Sequence, residues 1–500
     1  MLRRPLLPTL AAAALALTAC GGSDAPTGTV TPAPAPPPVV STVASVVVTT
    51  ALDTLEAYDA VQLRATVRDA QGNALTDRAV RWTSSNPAVA TVDAATGVLT
   101  GVDRGTVTVT ATSEGTSGTA SRVVVIRYRS MTAGSMHACD IASGGIVWCW
   151  GLNGREGRLG GSTLGETVQS SAPVRLPGEQ RYVQISSYSA TTCGVTREAD
   201  VYCWGYNGWG MLGNGTSAPH SYTPVLVSGG LKFRQVSVGS DFVCALTTAG
   251  KVHCWGDNGD DNFGTTTPRY STTPVPGAQG MTFASLTAGS DYACGLTDAG
   301  AAFCWGWSGV GNLGDGARPT MGNTSIATPN AVVGGHAFRS LSASSSVTCG
   351  VTTAGQGLCW GRGASNRLGT GSTGEFSVPG VVLGGHAFRS IAVGYGATCG
   401  IATDASLWCW GSGELGQLGQ VVPGTAAQPV RVGGGVTASE VSPANVAGGF
   451  GSFTCAVAAD RLTSWCWGRN DVGQLGNGTT TAATASNATP SVVVGQKPLP

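Results

Sequence analysis

Charge is the scarcest property of this chain. Only 11% of its 500 residues are Asp, Glu, Lys or Arg, and the 28 basic and 28 acidic side chains cancel. Ordinary soluble domains carry roughly a quarter. A nucleic-acid binder needs a cationic face to release phosphate counterions, so no nucleic-acid partner is expected. Histidines number five, and no CxxC, HExxH, GxSxG or phosphate-loop pattern occurs. With those motifs missing, no catalytic residue, metal or cofactor is expected. No apolar run is long enough to span a bilayer as a helix. What the chain has instead is glycine, 75 residues of it, which disfavours helices, and a hydrophobic share of 42%, which excludes disorder.

The first twenty residues read as an address. Arg3 and Arg4 precede the short apolar stretch from Leu6 to Leu17, the layout of a secretory signal. The run Leu17-Thr18-Ala19-Cys20-Gly21 resembles the bacterial lipobox. That resemblance implies removal of residues 1–19, acylation of Cys20 and anchorage by several acyl chains, with the membrane touched through the lipid alone. No aspartate follows Cys20, which fits an outer-membrane or cell-surface lipoprotein. Residues 20–42, with Thr31-Pro32-Ala33-Pro34-Ala35-Pro36-Pro37-Pro38, suit an extended, semi-rigid tether.

Residues 43–126 alternate apolar and polar side chains. Seven short strands are predicted: Val43 to Thr49, Val61 to Val67, Val80 to Thr83, Val89 to Val92, Val98 to Val102, Val107 to Thr112 and Val123 to Ile126. Seven strands in so short a segment suit an Ig-like sandwich, with Trp82 as its core aromatic. The run from Arg81 to Asp93, followed by Gly97-Val98-Leu99-Thr100-Gly101-Val102 and Gly105 to Ala111, resembles the bacterial Ig-like domain, group 2. The resemblance implies a stalk in a surface protein.

Residues 127–500 repeat seven times. Apart from Cys20, the cysteines form seven pairs: Cys139/Cys149, Cys193/Cys203, Cys244/Cys254, Cys294/Cys304, Cys349/Cys359, Cys399/Cys409 and Cys455/Cys466. Six pairs are ten residues apart and one is eleven. Trp-Gly follows each second cysteine, and eight or nine residues beyond that Trp comes Leu-Gly, or Phe-Gly at Phe263. A proline then opens a β-prone run. The period, 50 to 56 residues with four strands per unit, predicts a β-propeller. In the fifth repeat the strands are Phe338 to Ala343, Val347 to Thr352, Gly357 to Gly361 and Val378 to Leu383. The first and last units keep the full motif, which favours a closed ring over a capped solenoid. The predicted fold class is all-β, an Ig-like sandwich followed by a seven-bladed propeller.

Around Thr353-Ala354-Gly355 a hairpin turn places Cys349 and Cys359 opposite each other, about 4.5–5.5 Å apart at Cα. Disulfides are therefore expected in every unit, and the eleven-residue pair needs a different loop or a bulge. The segments Gly289 to Gly300, Cys304-Trp305-Gly306 and Gly311-Asn312-Leu313-Gly314 resemble the regulator of chromosome condensation repeat. That resemblance implies a seven-bladed propeller whose Trp-Gly and Leu-Gly positions pack between strands and blades.

Two loop registers vary between repeats while their flanks hold. One precedes the first cysteine and carries Tyr188, Asp241, Phe242, Asp291, Tyr292, Tyr395, Phe450 and Phe453; the other follows Trp-Gly and carries Tyr206, Trp209, Asp257, Trp307, Arg362 and Arg469. Aromatic and Arg side chains are common interface anchors. The candidate binding residues are Tyr188, Tyr206, Trp209, Asp241, Asp291, Trp307, Tyr395 and Phe450. Asp257, Asp260 and Asp261 miss the order of an EF-hand and read as a solvated loop. The leading expectation is a monomeric, non-enzymatic surface module for a protein or glycan. An inhibitor of a secreted enzyme is a special case. A lyase or hydrolase acting on polymer through a polar channel stays open; titratable groups gathered at one propeller mouth with shifted pKa values would favour it.

Overall fold

The computed structural model describes residues 41–50, 53–161, 169–317, 324–445 and 452–495. The signal segment, Cys20, the proline-rich tether and Phe450 lie outside them. Among the described residues no helix is long and apolar enough to cross a membrane.

Ser45–Thr49 to Thr116–Val125 build a sandwich around Trp82, Leu99, Val107, Val109 and Val124, all buried. Gly97 lies at a φ of +75°, and a Cβ there would come 2.6 Å from Trp82 Nε1, so glycine is required for the indole to seat. The structure has nine strands here rather than seven. The run Val61 to Val67 divides at buried Leu63: Ala60–Gln62 pairs with Val98–Gly101, whereas Arg64–Arg68 pairs with Ser45–Thr49. Thr54–Glu56 is an added parallel strand whose single buried side chain, Leu55, gave no alternation to read.

The remainder forms seven four-stranded antiparallel sheets, blades 1 to 7, at residues 128–175, 182–226, 233–276, 285–331, 338–381, 388–431 and 438–492. Each blade is contiguous in sequence, so no strand is exchanged where the ring closes. Blade 7 packs directly on blade 1 through Phe453, Val457, Leu475, Met131 and Trp150. Pro490 opens its outermost strand, Ser491–Val492, as predicted, but the other six prolines lie inside theirs. Pro379 lies inside Phe376–Val381, and Pro173 inside Gln169–Arg175, because an edge strand can spare the N–H that proline lacks.

All seven disulfides form, one in each blade. They are Cys139–Cys149, Cys193–Cys203, Cys244–Cys254, Cys294–Cys304, Cys349–Cys359, Cys399–Cys409 and Cys455–Cys466. Their Cα atoms are 4.0–4.1 Å apart, closer than the expected 4.5–5.5 Å, because the covalent link draws the second and third strands together. All fourteen cysteines are fully buried, so Cys149, Cys203, Cys254, Cys409 and the rest are staples within the blades and no part of an exposed site. Cys455 and Cys466 also stand directly opposite each other; the extra residue is taken up by a longer turn rather than a bulge. In that turn Arg461 O accepts the Tyr128 N–H and Asp460 O accepts Arg127 Nη1, which ties blade 7 to the start of blade 1.

The recurrent dipeptides hold the ring together. Every Trp of Trp-Gly is fully buried, and its Nε1 donates to the carbonyl preceding Leu-Gly (or Phe-Gly) of the previous blade. These bonds measure 2.8–3.1 Å, and Trp150 to Gln474 O closes the circle. The next glycine, such as Gly314 at a φ of +69°, lies against the following indole: a Cβ there would sit 2.6 Å from Trp360 Nε1.

Around the axis a second ring repeats. Thr132, Ser186, Ser237, Thr287, Ser342 and Ser442 each accept a backbone N–H from the next blade at 2.8–3.1 Å. The seventh position is Ala392, and the backbone it would meet is Pro443, which has no N–H to donate. The missing acceptor and the missing donor match.

Candidate binding face

In an up-down-up-down blade, the loops joining strands one to two and three to four emerge at the same end. The two variable registers therefore share one face of the propeller. The Ig-like sandwich sits on the other. Glu56 pairs with Arg129 at 2.7 Å and Arg127 at 3.3 Å and accepts Ser143 Oγ at 3.2 Å. Tyr58 packs over Gly144 in the turn between the second and third strands of blade 1. The loop face is thus directed away from the sandwich.

Trp209 is 57% exposed on this face, on backbone with a φ of +62°, and Tyr206 is 37% exposed beside it. Trp307 is half-buried and folds back over Gly309, where a Cβ would come 2.1 Å from its ring. Tyr395 is half-buried, with the Arg367 guanidinium carbon 5.3 Å from its ring centre. Arg469 is paired with Asp471 at 2.7 Å.

Other candidates are not surface anchors. Tyr188 is buried, and its hydroxyl reaches Ser290 Oγ at 2.6 Å, from blade 2 to blade 4. It spans the axis as a plug. Phe242, Tyr292 and Phe453 are also buried, and Tyr292 Oη donates to Val347 O of the next blade at 2.7 Å. The register before the first cysteine turns inward because the glycine ahead of it leaves room for a ring. A Cβ at Gly239 would come 2.3 Å from Phe242, and one at Gly289 2.0 Å from Tyr292.

Carboxylates occupy blades 3 and 4. Asp241 and Asp291 are half-buried. Desolvation, then repulsion from Asp260, Asp241 and Asp257, pushes Asp291 up to about 6. Asp241 is raised for the same first reason, against a 3.1 Å hydrogen bond from Ser240 Oγ. Asp257 Oδ2 accepts the Gly259 N–H, and Asp261 Oδ2 accepts Ser325 Oγ, so both carboxylates serve local loop structure. No group of three metal-ligating side chains converges among the described residues. His336 and His386 stand in separate blades, each edge-on to its own Phe338 or Phe388.

The axial cavity, about 240 Å³, is lined by the innermost strands. Its loop-face end is drawn shut by backbone bonds between loops, among them Ser135 N–H to Ser189 O, Ser189 N–H to Asn445 O and Ser290 N–H to Ser345 O, with Tyr188 lying across.

One functional candidate escaped the sequence reading. The residue before each Leu-Gly or Phe-Gly is Arg158, Met211, Asn262, Asn312, Arg367, Gln417 or Gln474. Its carbonyl is structural, accepting the Trp Nε1, but its side chain differs from blade to blade. Comparing the seven copies at that one position is the signal that finds it.

Family models match both parts of the chain. Residues 42–124 match the bacterial Ig-like domain (group 2). Residues 198–246, and in a second model residues 182–210, 233–262 and 388–417, match the regulator of chromosome condensation (RCC1) repeat. Among curated proteins, the ultraviolet-B receptor UVR8 of Arabidopsis thaliana is 29% identical over 143 residues, 27% of this chain and 30% of the receptor. The human E3 ubiquitin-protein ligase HERC2 is 36% identical over 131 residues, 24% of this chain and 3% of the ligase. The chain thus spans less than a third of either relative. Among solved structures, human WBSCR16 superposes with a TM-score of 0.59 at 21% identity, covering 70% of this chain and 93% of that one. Prp20p of Saccharomyces cerevisiae gives 0.55 at 18% identity, covering 63% and 80%. These structures share the propeller fold. Together with seven disulfides, the two matched domains point to an extracellular β-propeller module. The chain carries a bacterial Ig-like domain of group 2 followed by a propeller of regulator of chromosome condensation repeats.

Proposed function

We propose that this protein is an exported lipoprotein, held at the outer membrane or cell surface through Cys20, that uses its propeller as a non-enzymatic binding module for a protein or glycan. The observation that carries this reading is the placement of the loop face. It points away from the Ig-like stalk and presents Trp209 and Tyr206 to solvent. Large aromatics rimmed by polar loops are the composition of an interface core. In such a chain the stalk and tether hold the binding face off the membrane.

The test is a comparison of the full chain with a Trp209→Ala/Tyr206→Ala variant, using captured surface proteins and a glycan array. The reading expects a ligand retained by the parent and lost by the variant at unchanged melting temperature. Equal retention by both would refute this face. For the anchor, Cys20→Ala is expected to move the protein from the membrane fraction to the soluble one.

A second reading has one observation in its favour. Asp291, raised to about 6, is a carboxyl that could hold a proton near neutrality, as a general acid must. Against it, among the described residues Tyr188 and backbone bonds between the inner loops lie across the mouth, which disfavours a polymer threading the axis. Turnover of an extracellular polysaccharide that disappears in Asp291→Asn would establish the enzyme; persistence of turnover in that variant would remove Asp291 from it.

A further inference from the structure

Arg367 is 6% exposed, yet among the described residues it forms no ion pair. Its Nε donates to Ala364 O at 3.0 Å, and its guanidinium lies against Tyr395 at 5.3 Å. Nη1 is buried without a hydrogen-bond partner. Arg362, exposed on the same blade, adds repulsion between like charges. A buried cation with a like charge beside it is costly unless an anion completes it. Its counterpart in blade 1, Arg158, also buries Nε and Nη1 without a hydrogen-bond partner, but it has an acidic partner within the chain, Glu156 at 3.3 Å.

The site is one half of a bipolar mouth. Tyr188 lies within electrostatic reach of Asp241 and Asp291 on one side and of Arg367 on the other. A uniformly anionic polymer that neutralised Arg367 would run against Asp241, Asp257, Asp260 and Asp291. A segment carrying a carboxylate next to basic side chains satisfies both halves, and the exposed aromatics Trp209 and Tyr206 complete a protein-type interface.

We propose that Arg367, with Tyr395 as its stacking platform and Arg362 at its rim, is an anion subsite that receives an Asp or Glu side chain from a mixed-charge loop of a partner protein. This rests on the reading that the loop face binds, and it names the chemistry of one contact.

The experiment is a double-mutant cycle on the full chain. The probes are two fluorescein-labelled peptides, one with a glutamate flanked by lysines and one with glutamine in its place, read by fluorescence anisotropy at fixed ionic strength. The glutamate peptide is expected to bind the parent about tenfold more tightly than the glutamine peptide. In Arg367→Gln that difference should vanish, while the melting temperature holds or rises because an uncompensated buried charge has been removed. Arg175→Gln, on the opposite face, should leave the difference intact. Equal discrimination by parent and Arg367→Gln overturns the subsite. So does a fall in the melting temperature of Arg367→Gln with the peptide difference preserved, which would make the residue structural. Binding of trigalacturonate in preference to the glutamate peptide overturns the protein assignment. If Trp209→Ala/Tyr206→Ala leaves capture of the native ligand intact while Arg367→Gln still abolishes peptide discrimination, the broader reading fails and the subsite stands.

Discussion

Glu440 sits at the seam where blade 7 meets blade 1, and its replacement by glutamine is a direct test of how that seam is made. At the same register in blades 2 and 3 the residue is glutamine. Gln184 donates to Val236 O and accepts the Val236 N–H, both at 3.0 Å, and Gln235 does the same with Leu286 at 2.8 and 3.0 Å. Each amide adds a strand-like pair of bonds between blades. Glu440 accepts the Met131 N–H and Ser130 Oγ, but an ionised carboxylate cannot donate to the Met131 carbonyl. Desolvation pushes its pKa from 4.5 to about 7. Below pH 4.5 the group is protonated in both the folded and unfolded chains, and it costs nothing. Between 4.5 and 7 the unfolded chain ionises first, so stability falls as pH rises, and the loss is complete above 7. At about 1.4 kcal/mol per pH unit the full penalty approaches roughly 3 kcal/mol, and because the side chain is only half-buried, solvent screens it to about 2. Glu440→Gln should match the parent at pH 4 and gain up to about 2 kcal/mol at pH 8. Urea unfolding followed by tryptophan fluorescence at pH 4, 6 and 8 measures this. An equal gain at both ends of the range would show an ordinary packing effect, and a loss at pH 8 would refute the seam.

Asp291→Asn should likewise stabilise the protein above pH 6 and leave it unchanged near pH 3.5, because its carboxyl is raised in the same sense; a pH series of melting temperatures checks it. Gly314→Ala places a Cβ 2.6 Å from Trp360 Nε1 at a φ of +69° and should lower stability by about 2–4 kcal/mol, visible as a shifted urea midpoint. Ser237→Ala removes the acceptor of the Ala288 N–H and should cost about 1 kcal/mol, whereas Ala392→Ser should gain nothing, since Pro443 offers no donor. Removing one disulfide as Cys349→Ala/Cys359→Ala should cost about 2–3 kcal/mol on a chain-entropy basis, read by the same midpoint.

The architecture was legible because its determinants recur. One Trp at a given register is ambiguous, but seven, each ten or so residues after a cysteine, can only be a repeated structural position. The disulfides followed from hairpin register for the same reason. The sandwich was legible wherever strands alternate, and failed at Leu63, where a single buried residue lets the chain change sheets. The candidate face was half legible. Loop variability picked out two registers that lie at one end of the propeller, and Trp209 and Tyr206 are exposed there. Direction is what the sequence withheld. Tyr188 and Tyr206 are both loop tyrosines, yet one crosses the axis to Ser290 and the other faces solvent. That choice depends on partners supplied by other blades, such as Ser290 for Tyr188, a tertiary fact.

The position before Leu-Gly shows how such a scaffold can carry function without losing its fold. Its carbonyl accepts the next blade's Trp in all seven copies, so the backbone there is held by a bond that no side chain provides. The side chain is released from structural duty, and it ranges from Met211 to Asn312 to Arg367. Two of these, Arg158 and Arg367, bring a charge to the loop face, and among the described residues the first pairs with an acidic side chain and the second does not. Elsewhere the ring shows the opposite habit: Ala392 drops its hydroxyl where Pro443 has no N–H, so an unneeded polar group is absent. Ser113 and Ser344 nevertheless keep buried hydroxyls without a partner, so what supports the proposed contact is the charge of Arg367, which has no acidic partner among the described residues.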